Sequence, residues 1–383
     1  VDLSKTETSQ VFNSDQIMEL PINGRRVDAF VASMPGVVMD GSFGLLSFRG
    51  NPGGNSFLTD GNDTTNSYYD ENAGRTRTYN IAQDAVQEFQ VVTSNFSAEY
   101  GKASGGVVNT VTRSGGNSYH GSAYEFFRNR TLNAVDRTTA NGLYPNGINP
   151  PEWRHQAGLS IGGPIKKDKI FFFFNGELMR RNAPIVSSNI GAGSGNNLLT
   201  GAGDIKADYL SDGTLKPTTG PGASTAPYNV CVLGNSSSAG IGQERCDAAV
   251  AYIKGRALPT LIPRKMDNNM LFAKIDWHPT DVDTVSFSGN YLDFRSPNGI
   301  QTQLSLANGN AIGNNADTNV FDRTGRASWT RITSSHALNE FRFGLFKDRQ
   351  YDPASTSLIP SIGPVALSVN SVSNLGFATN YPR

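Results

Sequence analysis

The chain has 383 residues, and its 33 Lys+Arg are matched by 33 Asp+Glu, a formal net charge of zero. It therefore lacks the basic surplus by which a nucleic-acid partner is recognised. Gly at 41 residues and a charged fraction of 17% lie above and below the usual ~7% and ~25%, which favours turns and strands over a helical bundle. The sequence contains no run of ~18 apolar residues, so it predicts no transmembrane helix. No signal peptide is visible, and the start at Val1 predicts that an N-terminal part is missing.

In chain order, Asn13-Ser14-Asp15 caps a short predicted helix over Gln16–Leu20. Leu20-Pro21-Ile22-Asn23-Gly24-Arg25 reads as a turn, because Pro fixes φ and Asn-Gly accepts positive φ. Val27, Phe30, Val31 and Met34 recur at helical spacing until Pro35-Gly36 ends the pattern. Phe48-Arg49-Gly50 and Phe57-Leu58-Thr59-Asp60-Gly61 predict short strands that run into turns. Glu88–Arg113 predicts a strand at Phe89–Val92, a glycine-punctuated turn at Gly101–Gly106, and a strand at Val107–Thr112. The first 113 residues thus read as one mixed α/β unit.

Beyond Tyr119 the rhythm changes to period two. Candidate strands fall at 118–129, 154–163, 168–180, 268–278, 282–294, 321–332 and 336–348. The fifth alternates most cleanly. Val285, Phe287, Gly289 and Tyr291 should face lipid, and Thr284, Ser286, Ser288 and Asn290 should face inward. Ile170–Phe174 is apolar on both faces, so its orientation cannot be read. Short connections (164–167, 279–281, 333–335) alternate with long ones (130–153, 181–267, 295–320). An outer-membrane barrel has that asymmetry, with short periplasmic turns and long external loops. A soluble β-sandwich or propeller with insertions is the alternative.

Cys231 and Cys246 both lie in the longest connection. They suit a loop disulfide in an oxidising compartment; two free thiols are the alternative. Catalytic and metal patterns fail on context. Gly158-Leu159-Ser160-Ile161-Gly162 fits a nucleophile-elbow pattern but lies inside a strand with Pro164 after it. Asp60–Thr64 loosely echoes a calcium loop, yet Thr65 stands where glycine is required. His120, His155, His278 and His336 sit on different segments without ligand spacing. The residues predict no enzyme and no cofactor.

Four blocks in order then resemble a known family. Phe48-Arg49-Gly50, Phe57–Gly61, Gln87–Val92 and Glu99–Thr112 look like the plug of TonB-dependent outer-membrane receptors. Leu20–Arg25, Asn95–Gly101 and Gly162–Lys169 narrow the resemblance to the Oar-like branch. It covers residues 10–180 through motifs and the later strands through pattern alone. The resemblance implies an α+β plug domain at 1–115, then at 116–383 the N-terminal part of an antiparallel transmembrane β-barrel. About 22 strands are implied for the whole barrel, so the chain is expected to be a fragment. It marks Arg49, Gly50, Asp60, Gly61, Glu99, Tyr100, Gly101, Gly105, Gly106 and Asn109 as plug-signature positions, with Arg49, Asp60 and Glu99 pairing with one another or with the wall. It also implies a cell outer-membrane location in contact with lipid, a TonB-type energy-coupling partner, and plug-gated transport of an unidentified ligand. A surface-binding or export-related barrel without energised uptake is the second reading.

Overall fold

The computed structural model describes residues 8–20, 22, 25–39, 45–51, 53–65, 81–95, 100–135, 137, 147–186, 261–262, 264–297, 317–352 and 381–382. Glu99, Cys231 and Cys246 lie outside the described residues.

The N-terminal unit contains β1 (Thr8–Phe12), α1 (Ser14–Glu19), α2 (Val27–Val31), β2 (Val37–Met39) and β3 (Leu46–Phe48). It continues with β4 (Ser56–Thr59), β5 (Asn62–Asp63), β6 (Val86–Ser94) and β7 (Val107–Thr112). One sheet runs β1-β6-β7-β4-β5, with β4 parallel to β7 and the other pairs antiparallel. The predicted first helix is present, closed by a capping box in which Asn13 and Gln16 satisfy each other's backbone N–H groups. The second stops at Val31, shorter than its apolar spacing suggested, and turns carry the chain on to Pro35-Gly36.

Two signature pairs make tight hairpins. Arg49-Gly50 (φ 52° and 85°) is bracketed by reciprocal Phe48–Asn51 backbone bonds of 3.0 Å, and Asp60-Gly61 (φ 48° and 74°) joins β4 to β5. Consecutive positive φ values define the turn whose twist suits a two-residue hairpin.

The second unit holds β8 (His120–Asn129), β9 (Trp153–Lys166), β10 (Ile170–Asn182), β11 (Ile185–Val186) and β12 (Leu261–Ile262). It continues with β13 (Lys265–Thr280), β14 (Asp283–Ser296), β15 (Thr318–Ser334), β16 (Ala337–Asp352) and β17 (Tyr381–Pro382). All seven expected strands are present, and most extend two to four residues further toward the long connections. With β17 they form one antiparallel sheet of eight strands, β17-β16-β15-β14-β13-β10-β9-β8, which does not close among the described residues. β11 and β12 pair separately at the base of the longest connection.

Alternation divides this wall into two faces. Leu271, Ile275, Trp277, Phe287, Phe341, Phe343 and Leu345 are exposed on one. Asn175, Glu177, Asn268, Asp276, Asn290, Asp322 and Arg326 are buried on the other. Apolar-out and polar-in is the arrangement of a wall with lipid outside and a wet lumen within. The orientation left open at Ile170–Phe174 is settled by Phe173, which points inward and is 1% exposed.

Phe173 of β10 and Phe272 of β13 complete the hydrophobic core of the N-terminal unit, joining Phe12, Ile17, Phe30, Phe57 and Phe89. Phe12 stacks on Phe89 at 4.7 Å, and Phe173 meets Phe272 at 6.3 Å. Burying each wall phenylalanine contributes about 1.5–3 kcal/mol to seating. The connecting segment is fixed as well. Asn117 donates to Asp168 Oδ1 at 2.6 Å and accepts from the Asp168 N–H at 2.9 Å. Gly115 passes so close to the wall that an added Cβ would lie 2.2 Å from the Phe172 carbonyl oxygen.

Candidate functional site: the interface of the two units

On the β8–β10 side the interface is ionic and sealed. Arg25 has a positive φ of 54°. Its Nη2 donates to Asp84 Oδ2 at 2.6 Å, and its Nε lies 3.9 Å from Glu177 Oε2. The guanidinium covers the Tyr124 ring at 4.4 Å and the Phe126 ring at 5.1 Å. Glu177 also accepts from the Tyr124 hydroxyl and from Gln156 Nε2, the latter at 3.0 Å. Asp84 is fully buried and Glu177 is 3% exposed. Three adjacent strands thus present Tyr124, Gln156 and Glu177 to one cation of the N-terminal unit. Buried charges are tolerated only when paired, and Arg25 is met here by the Asp84 carboxylate through one hydrogen bond and by the face of the Tyr124 ring.

Gly158 explains how Tyr124 reaches this position. A Cβ there would lie 2.4 Å from the phenol oxygen, so the bare backbone of β9 is the slot for the ring. The pattern that resembled a nucleophile elbow is therefore a packing device. Its Ser160 sits within β9, with its hydroxyl 2.9 Å from that of Ser122.

The β13–β16 side is different. Lys274 Nζ donates to Thr112 Oγ1 at 3.3 Å. The tip of the β4–β5 hairpin approaches β16, where a Cβ on Gly61 would lie 2.3 Å from an Arg342 nitrogen. Arg342 is held by Glu340 at 2.8 and 3.0 Å. Between the hairpin, β7 and these strands lies a cavity of about 270 Å³, bordered by Asn109, Lys274, Ser286, Ser288, Arg326 and Ser328 among others.

The structure scatters the expected signature residues through the N-terminal unit. Asp60 and Arg49 do not pair with each other. The Asp60 carboxylate accepts from the Thr112 N–H and hydroxyl at 2.9 and 2.8 Å, while Arg49 occupies its own hairpin turn. Gly105 and Gly106 are close-approach glycines, since added Cβ atoms would meet Asn55 Oδ1 at 2.3 Å and the Phe48 ring at 2.4 Å. Gly101 and Gly50 have open space. Tyr100 precedes this glycine segment, and Asn109 borders the cavity.

Sequence reasoning missed Arg25 as a binding residue, along with Asp84, Glu177 and Asn55. Asn55 is 2% exposed; it donates to the Leu46 carbonyl at 2.8 Å and accepts from the Gly106 N–H at 3.2 Å. A buried polar residue between two glycine turns was the available signal.

Comparison with known proteins agrees with this geometry. Residues 2–108 match the family described as TonB-dependent Receptor Plug Domain, and residues 111–380 match the Outer membrane beta barrel domain. The TonB-dependent transporter Oar of Myxococcus xanthus is 32% identical over 120 residues, 31% of this chain and 11% of that protein. Among solved structures, the siderophore receptor PirA of Acinetobacter baumannii aligns with a TM-score of 0.56 at 16% identity, over 90% of this chain and 40% of its own. The ferric enterobactin receptor PfeA of Pseudomonas aeruginosa, in complex with enterobactin, aligns at 0.55 and 13%, over 91% and 42%. The outer membrane transporter YddB of Escherichia coli aligns at 0.52 and 14%, over 96% and 43%. The chain thus spans less than half the length of these relatives, and the low identities speak for the fold alone. A plug-like unit seated on the polar face of an antiparallel wall, matched by both family descriptions over most of the chain, makes this protein a member of the plug-bearing outer-membrane β-barrel family of TonB-dependent receptors.

Proposed function

We propose that the complete protein carries a ligand across the outer membrane, with residues 1–115 as the plug and 116–383 as the first part of the barrel wall. A TonB-type coupling protein supplies the force that rearranges the plug. The observation that carries this reading is the seating of the plug, pinned through Arg25 to β8–β10 and through Phe173 and Phe272 to β10 and β13, with a polar cavity beside the β4–β5 hairpin. A unit held this way blocks the lumen at rest and must move for a ligand to pass. The signature residues act in this reading as plug-forming residues. Arg49-Gly50 and Asp60-Gly61 make its hairpins, Gly105 and Gly106 allow strands to close on one another, and Tyr100, Gly101 and Asn109 shape the segment between β6 and the cavity. Glu99 belongs to the same segment.

The test uses the full-length protein in cells deprived of their own siderophore receptors. Iron-loaded enterobactin is the first probe, followed by peptide and oligosaccharide mixtures. Uptake that stops when the coupling protein is deleted or the proton-motive force is dissipated is expected. Binding at the surface without uptake would favour the surface-binding or export-related reading instead.

A further inference from the structure

The outward face of the wall changes chemistry at one level. Its apolar run ends at Leu178 on β10, Leu271 on β13, Tyr291 on β14 and Leu345 on β16. The next outward positions toward the long connections are Arg180, Asn269, Asp293 and Lys347. That level is the outer edge of the lipid-facing band, since the long connections are the external ones. On β10–β14 the charges there are matched: Arg180 lies 3.8 Å from Asp267, and Arg295 lies 2.9 Å from Asp293. On β15 and β16 they are not. Arg323 stands directly opposite Lys347 in the ladder, and Arg349 follows two residues on. All three are exposed, and none has a carboxylate within ion-pair distance among the described residues. Like charges directly opposite one another cost stability, a cost that a bound anion would remove.

Beneath these cations the wall is bare. Gly289 of β14 pairs with Gly325 of β15, which pairs in turn with Leu345 of β16. A Cβ added at Gly325 would meet no atom within 4 Å, and one at Gly289 would make only an ordinary contact of 3.6 Å with the Thr324 carbonyl oxygen. Packing within the wall requires neither glycine. A strand glycine of that kind often marks a place where another molecule approaches the backbone closely.

We propose that Arg323, Lys347 and Arg349 hold the phosphate of an outer-leaflet lipid, and that one of its acyl chains lies in the shallow depression over Gly289 and Gly325. Guanidinium forks and an ammonium group suit phosphate oxygens. The Tyr291 ring lies 5.6 Å from the Arg323 guanidinium carbon and the Tyr351 ring 6.0 Å from that of Arg349, so aromatic faces help to fix both heads at this height. Long cationic side chains can rest their stems on apolar surface while their heads stay at the headgroup level. A free phosphate would use the cations alone, whereas cations above a bare apolar strip match an amphiphile. The site is on the opposite side of the wall from the plug, so the inference needs the lipid-facing wall and not the gate.

Native mass spectrometry of the full-length protein, purified in mild detergent and offered defined lipids, tests this. The probes are diphosphoryl lipid A, the same lipid with its phosphates removed, and inorganic pyrophosphate. The unaltered protein should retain the phosphorylated lipid several-fold better than the dephosphorylated one, a comparison that needs no variant. Arg323→Gln combined with Lys347→Gln and Arg349→Gln should abolish that preference, while Arg180→Gln combined with Arg295→Gln should keep it. Gly325→Leu fills the depression and should weaken lipid retention with pyrophosphate binding unchanged. Equal retention of the two lipids, or a triple variant that behaves like the unaltered protein, would overturn the site. Displacement of the lipid by an equal concentration of pyrophosphate would make it a free-anion site and overturn the lipid as occupant. Full retention by Gly325→Leu would overturn the place given to the acyl chain.

Discussion

Arg25 of the plug and Asp84, 59 residues later, form a 2.6 Å ion pair in which the carboxylate is fully buried. The pair lies against Tyr124 and Glu177 of the wall, so its loss should loosen the plug as well as the fold. Arg25→Ala leaves Asp84 buried without its cation, a change expected to cost about 3–5 kcal/mol. Arg25→Met combined with Asp84→Leu should recover part of that loss, because only Glu177 is then left without a cation and it keeps its bonds from Tyr124 and Gln156. Limited proteolysis and thermal melting of the full-length protein measure both. A double variant as weak as Arg25→Ala would contradict the argument.

The signature glycines should separate by cause. Gly106→Ala drives a methyl into the Phe48 ring and should cost about 1–3 kcal/mol through overpacking. Gly50→Ala meets open space but must hold φ at 85°, so about 1–2 kcal/mol is expected from the left-handed backbone alone. Gly101→Ala meets neither obstacle and should be neutral or stabilising by about 0.4–1 kcal/mol. Denaturant titration of the three variants gives the order.

The lipid-facing assignment of β14 can be tested at neighbouring residues. Phe287 is 53% exposed on the outer face, and Phe287→Arg should cost about 2–4 kcal/mol near the bilayer midplane. Ser288 faces the cavity, paired across the ladder with Lys274 on one side and Arg326 on the other. Ser288→Arg places three cations in a row and should lose stability by roughly 0.2–1 kcal/mol, whereas Ser288→Glu should be near neutral. Folded yield in lipid vesicles ranks them, and a harmless Phe287→Arg would invert the faces.

Acid should release the far end of β5 from Lys102. Burial pushes the Asp63 carboxyl up, but the Thr65 N–H and hydroxyl and the Lys102 ammonium outweigh it and hold the group below its usual 3.8. A carboxyl depressed in the folded state contributes stability above its unfolded value and loses it as pH falls through the folded one. The contact with Lys102 is therefore intact at neutral pH and lost only below pH 3.8. An NMR titration of Asp63 with a midpoint at or above that value would contradict the assignment.

Cys231 and Cys246 are expected to be bonded in the exported protein. Closing a loop of about 15 residues stabilises by roughly 3 kcal/mol on chain-entropy grounds. Mass spectrometry of non-reduced peptides checks it, and two alkylatable thiols would refute it.

Much of the fold was legible because alternation reports which face of a strand meets water or lipid. β14 shows it most plainly, and the short and long connections followed the same logic. Alternation was silent at Ile170–Phe174 because the lumen is not uniformly wet. Phe173 meets the apolar core of the plug, and Leu292, Phe294 and Val320 likewise point inward into a buried cluster with Ala82. The pinning cluster was hidden for another reason. Arg25, Asp84, Tyr124 and Glu177 are far apart in sequence, and no local pattern connects a turn arginine to a glutamate on the third long strand of the second unit. Motif resemblance found the glycines and the turn residue Asp60, and missed Arg25 with its buried carboxylate partners, which only the docked wall brings together.

The sharing of Phe173 and Phe272 with the plug also bears on the order in which the protein assembles. The plug is the earlier part of the chain, yet its core lacks two aromatic members until β10 and β13 arrive. Contacts close in sequence form sooner than distant ones, so β8, β9 and β10 are the first strands able to dock on it. The plug then acts as a mandrel, its unfinished apolar surface selecting the inward side of the arriving strands, and strand register follows from that choice. A plug produced without those strands would be left with an exposed aromatic patch where the wall should be.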